Sequence, residues 1–188
     1  PANLSMAMTF WGWDGNRDVV GQAVKPNEKD DKNVMPYEME YFVENNTSDL
    51  AVVVRSGGNL ELIRRYIAAG FPVLVEKGFE GPGFDGWMGH YEVLNGYDDS
   101  KARFVAQDSY KGPDYPVLYT DLLSQWRAFN YTYLVIYPLE QRQRVLDILG
   151  LQVYDNYNSH TAEQKAAAEI PILSGRDLYF ALFNRGAS

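Results

Sequence analysis

The feature that most restricts the fold of this chain is a change of hydrophobic period near Gly70. Ahead of it, apolar residues recur at helical spacing. Leu4, Met8 and Trp11 fall at i, i+4 and i+7 with Ala7 and Phe10 beside them, and Leu60, Leu62, Ile63, Tyr66 and Ile67 form a second such face that Gly70 is expected to stop. Two more helices are predicted, one over Asp18 to Val24 and one opened by Pro36 and running through Tyr37, Tyr41 and Phe42. Beyond Gly70 the pattern becomes that of strands. Pro72 to Lys77 is β-rich, His90 to Tyr97 and Arg103 to Asp108 flank the turn cluster Asp98-Asp99-Ser100 as a hairpin, and Asn130 to Tyr137 ends at Pro138, with a short helix over Thr120 to Trp126 before it. Helices first and a mainly antiparallel sheet second predict an α+β fold.

With 188 residues and 46% hydrophobic composition, the chain supplies one packed core and an appendage. The division is expected at Pro138: a main domain over 1–138 and a helical extension over 139–188. In the extension, Glu140 to Leu149 reads as a helix, Gln152 to His160 as a polar linker and Thr161 to Glu169 as an alanine-rich helix. Ser174 reads as the N-cap of a final segment, Asp177 to Ser188.

Several functions are excluded by composition. The net charge is −8 and no run of Lys and Arg interleaves with aromatics, so nucleic acid is not an expected partner. The longest apolar runs, Phe71 to Val75 and Tyr131 to Tyr137, fall far below the roughly 20 residues of a membrane span. There is no cysteine and only two histidines, His90 and His160, so neither a metal site nor a bound cofactor is expected. Glu28 to Asp31 reads as a solvated charge run, and Gly81-Pro-Gly83 lacks the Lys-Ser/Thr of a phosphate loop. Because the chain opens at Pro1 without an initiator methionine, an N-terminal segment is expected to be missing. The localisation is not readable, although an extracytoplasmic setting is compatible.

The chemistry is expected in the hairpin. If it folds symmetrically about Asp99, His90 stands opposite Asp108, whereas a shift of one residue puts Ser109 there instead. A carboxylate beside the imidazole accepts its N–H, fixes the tautomer and stabilises the imidazolium, the orienting role in a nucleophile–base–acid triad. A surface His–carboxylate pair is the alternative. Gly86-Trp-Met-Gly-His90 offers Trp87 and Gly89 as substrate-binding residues beside the base, and the alternative for Trp87 is a core plug.

Gly89-His90-Tyr91-Glu92-Val93-Leu94-Asn95-Gly96-Tyr97-Asp98, followed by Phe104-Val-Ala-Gln-Asp108-Ser109, resembles the hairpin of papain-like cysteine peptidases of the bacteriocin-processing kind, which cut double-glycine leader peptides. Pro1-Ala2-Asn3-Leu4-Ser5-Met6-Ala7-Met8 is similar to the segment that begins with the Pro-Ala of that family's Cys-Gly-Pro-Ala motif, directly after the nucleophilic Cys and its Gly. The resemblance spans Pro1 to Pro138. It implies a papain-like fold, His90 as catalytic base, Asp108 as its partner and a peptide or protein substrate. Its Cys-Gly and the upstream oxyanion-hole Gln are absent, so this chain alone is expected to be inactive. The alternative is a catalytically silent peptide-binding or protein-interaction module, and acyl transfer uses the same groups as hydrolysis. Leu178 to Ala187 resembles the first helix of a tetratricopeptide repeat, which implies protein contacts through the C-terminal helices; an ordinary amphipathic helix is the alternative.

Overall fold

The structure, a computed structural model, describes residues 1–26, 33–80 and 87–188. The expected charge run at Glu28 to Asp31, and Phe84 and Gly81-Pro-Gly83 in the glycine-rich loop, lie outside the described residues. Three helices come first: α1 (Ala2–Thr9), α2 (Arg17–Val24) and α3 (Pro36–Asn46). The Asn16 side chain accepts from the Asp18 and Val19 amides to cap α2, and Pro36 in the first turn of α3 sacrifices an N–H that had no partner there. The buried side of α3 is Met39, Phe42 and Val43, while Tyr37 and Tyr41, expected on the apolar face, are exposed.

Strand β1 (Leu50–Arg55) and helix α4 (Leu60–Ala68) come next. Asn59 caps α4 by accepting from the Leu62 amide, and Gly70, at φ +90, ends the helix in a conformation only glycine adopts without strain. Five more strands complete the sheet: β2 (Val73–Phe79), β3 (Met88–Asp98), β4 (Arg103–Asp108), β5 (Gly112–Leu118) and β6 (Tyr133–Pro138). Helix α5 (Tyr119–Arg127) precedes β6. The order is β1-β6-β2-β3-β4-β5, and every neighbouring pair is antiparallel.

Period-2 alternation gives the sheet two buried faces. Leu74, Val93, Leu134 and Ile136 meet Leu4, Ala7 and Met8 of α1 and the buried residues of α2 and α3. On the other face, Val73, Val75, Leu94, Phe104 and Ala106 meet Ile63 and Tyr66 of α4 and Leu122 and Trp126 of α5. Each large apolar side chain withdrawn from water contributes about 1.5–3 kcal/mol, which is why β2 is buried along its whole length.

Helices α6 (Arg142–Leu149), α7 (Asp155–Glu169) and α8 (Gly175–Ala187) form the extension. The expected linker at Gln152 to His160 is not one, because α7 runs through most of it. Its polar residues form the outer side of the helix, and buried Asn158 bonds the backbone of Ser56 twice, through Oδ1 from the amide and Nδ2 to the carbonyl. The Lys165 ammonium reaches the Gly58 carbonyl and sits 3.3 Å from the centre of the Tyr131 ring. Ser174 occupies the N-cap of α8 without a side-chain capping bond. Among the described residues no helix is long and apolar enough to cross a membrane.

Candidate active site

The β3–β4 hairpin does not fold symmetrically about Asp99. Asp98 pairs with Arg103, because four residues make the turn and Ala102 takes a left-handed φ of 47. Asn95 is then an extra residue in β3, between the Leu94–Ala106 and Gly96–Val105 pairs. The register is thus displaced from the symmetric one by three residues at the turn and two beyond the bulge. Continued past Val93–Gln107, it sets Asp108 opposite Glu92 and not opposite His90. The expected neighbours meet all the same, diagonally, over a separation that side chains span.

His90 Nε2 lies 2.8 Å from Asp108 Oδ2, with the Asp108 side chain 1% exposed and that of His90 13%. The other oxygen, Oδ1, accepts from the Tyr110 amide at 2.6 Å and the Lys111 amide at 2.8 Å. Burial pulls the Asp108 pKa up, but the His90 hydrogen bond, the Lys111 amide, the charge on His90 and the Tyr110 amide outweigh it and leave the group at about 2. Asp108 is therefore an ionised acceptor, so Nε2 carries the proton of the neutral ring. The lone pair is left on Nδ1, where a general base needs it.

Two groups beside this pair are not marked as site residues by the sequence. Lys77 is the register partner of His90 on β2, and Glu92 stands two residues along β3 on the same side of the sheet. Lys77 Nζ is 2.7 Å from Glu92 Oε2, and both side chains are buried. Burial raises the Glu92 pKa, the Lys77 cation lowers it and Asp108 raises it again. Charged residues inside apolar strands were the available signal, but the register that pairs them is a tertiary property. On the opposite side of the sheet, Glu76 accepts from Asn33 Nδ2 at 3.0 Å and Tyr91 donates to the Val34 carbonyl, fixing the segment before α3.

The front of α1 and the hairpin share a cavity of about 190 Å³, bordered by Pro1, Asn3, Asn33, Gly89, His90 and Ser109 among others. Asn3 is 4% exposed, and its Oδ1 has no hydrogen-bond partner among the described residues. Gly89 thus borders the cavity that holds the imidazole. Trp87 does not: it stacks on Phe129 and on Phe180 and borders a second cavity, of about 370 Å³, with Lys77, Phe79 and Asp108. Among the described residues no group of three or more His, Cys, Asp or Glu is placed to hold a metal ion.

Helices packed on an antiparallel sheet, with a histidine and an aspartate bonded across adjacent strands, define the class as papain-like. The model of the Peptidase_C39-like family matches residues 1–134, and the chain belongs to that family. A putative C39-like peptidase from Bacillus anthracis superposes with a TM-score of 0.55 at 16% identity, over 72% of this chain and 86% of that one. The N-terminal peptidase C39-like domain of the toxin secretion ATP-binding protein from Vibrio parahaemolyticus gives a TM-score of 0.47 at 17% identity, over 73% and 98%. No curated protein matches the chain.

Proposed function

We propose that this is the body of a cysteine-peptidase site for peptide substrates, in which His90 is the general base and acid and Asp108 orients it. Nδ1 of His90 takes the thiol proton, the thiolate attacks the peptide carbonyl and the proton is returned to the leaving amine. A water deprotonated by the same imidazole then hydrolyses the thioester to free the acid and restore the thiol, with Asp108 stabilising the imidazolium in between. The observation that carries the reading is the Nε2–Asp108 bond, with the carboxylate held ionised by two further amides. The 188 residues contain no cysteine, so the thiolate is not one of them. A thiol at the front of α1 would benefit from the positive end of the helix and from the amides there, which also suit a developing oxyanion. Gly89 and the unpartnered Asn3 Oδ1 offer backbone and acceptor contacts to the peptide, and Trp87 offers its exposed edge outside the smaller cavity.

A second reading, a silent peptide-binding module that uses its C-terminal helices for protein contacts, is favoured by exposed Tyr179, Leu182 and Phe183 on α8. The start of a tetratricopeptide array belongs to this reading.

The test is hydrolysis of an unstructured peptide library by the chain with Cys-Gly placed before Pro1. Turnover is expected, and His90→Ala is expected to reduce it by about 10²-fold or more. No cleavage, or cleavage indifferent to His90, would leave the binding module as the better account.

A further inference from the structure

We propose that the C-terminal helix α8 clamps the strand that carries His90, with Phe180 as a positioning residue for the candidate base; the inference rests on the role given to His90 above. The helix lies outside the residues matched by the family model, yet it touches both strands of the β2–β3 hairpin at their loop end. Arg176 Nη1 is 2.8 Å from Glu80 Oε1, directly after β2, and the Phe180 ring is 5.4 Å from that of Trp87, directly before β3. Trp87 is in turn stacked on Phe129 at 5.4 Å, their planes 10° apart.

A pair of bare positions in the sheet seats these rings. Gly78 and Gly89 are register partners, and the next pair along is Lys77 and His90. A Cβ on Gly78 would come 2.3 Å from Trp87 Nε1, and one on Gly89 would come 2.8 Å from Phe129 Cζ. The rings therefore lie directly against bare backbone, one residue along the strand from the base and on the other side of the sheet, where an added Cβ would displace them. Phe180 adds a second ring against Trp87, their planes 29° apart.

The clamp has a fixed anchor. Arg127, on α5, contacts Asp177 at 3.1 Å, and its carbonyl accepts from Asn184 Nδ2 at 2.7 Å, with Asn184 only 1% exposed. Helix α8 is thereby held against the core while its aromatic and cationic side chains reach the hairpin. The Arg176–Glu80 pair is exposed on both sides and so contributes little, which leaves Phe180 as the principal element.

The test reads the His90 imidazole and the Trp87 indole by NMR in the full 188-residue chain, whose two histidines make assignment direct. Phe180→Ala is expected to displace the His90 ring signals and to speed exchange of the Trp87 indole N–H by about tenfold or more. The Trp11 indole N–H, bonded to the Ile136 carbonyl, should stay in place. Phe180→Tyr should restore both readouts, and Phe183→Ala, at a position 71% exposed on the same helix, should change neither. Unmoved His90 signals in a folded Phe180→Ala protein would overturn the clamp, and so would equal displacement in Phe183→Ala. Should Phe180→Ala also disturb Trp11, Phe180→Leu keeps the apolar bulk without the ring, and wild-type His90 signals there would overturn the proposal equally. No turnover is measured, so failure of the peptidase reading leaves the clamp standing, and an active peptidase with undisturbed His90 signals sinks the clamp alone.

Discussion

Asp108 carries a negative charge in a place where burial alone would have neutralised it, and its three donors are what reverse the balance. The consequence is a pH dependence with a definite sign. A folded-state value of about 2, below the roughly 3.9 of an unfolded aspartate, means that the unfolded chain binds more protons between those limits. The associated stability, about 2 kcal/mol, is present above about pH 4 and is lost as the pH falls towards 2. Denaturation midpoints followed from pH 6 to pH 2 should fall more steeply in the wild type than in Asp108→Asn; parallel slopes would show that the carboxylate is not held in this way. His90 and Asp108 draw notice because a base and an acid flank a turn cluster, although the symmetric register that would set them opposite each other is not the one the strands adopt and their roles are implied by the family resemblance alone. Lys77 is not, since only the β2–β3 register reveals that it faces His90.

At the scale of elements, the residues locate the hairpin but mislead about its register. The asymmetry comes from Ala102, which carries no turn signature, and from the bulge at Asn95-Gly96, where the glycine inside a strand pattern is the signal left unused. Strand β5 is hidden for a physical reason: Pro113 and Pro116 cannot donate to a ladder on both sides and are tolerated only because β5 is at the sheet edge. The polar first half of α7 conceals a helix whose inward side is held by hydrogen bonds more than by apolar spacing.

The pairing of β2 with β3 also creates the buried Lys77–Glu92 contact, and such contacts are costly to break from one side. Lys77→Met should destabilise the fold by about 3–5 kcal/mol, because Glu92 is left buried without its cation. Lys77→Met combined with Glu92→Leu should recover most of that loss. Urea unfolding of the two proteins decides it, and equal destabilisation would mean that the pair is not coupled.

Across the whole molecule, two sets of helices grip one sheet, and the extension is integrated with the core through Asn158, Lys165 and Asn184. The boundary expected at Pro138 coincides with the end of β6, but the packing of α7 and α8 makes the extension part of the same body of contacts that supports the hairpin. The α+β class and the order of helices and strands are readable from period and residue type; the attachment of the extension depends on buried polar side chains whose partners lie about 100 positions away, such as Ser56 and Asn158. The reading as a peptidase body requires that the front of α1 and the imidazole of His90 serve one cavity. The most direct measurement is the alkylation rate of the chain carrying Cys-Gly before Pro1, followed from pH 4 to pH 10. A reactive thiolate well below the ordinary thiol pKa of about 8.5, lost in His90→Ala, is the predicted result. A thiol that titrates near 8.5 whether or not the imidazole is present would contradict it.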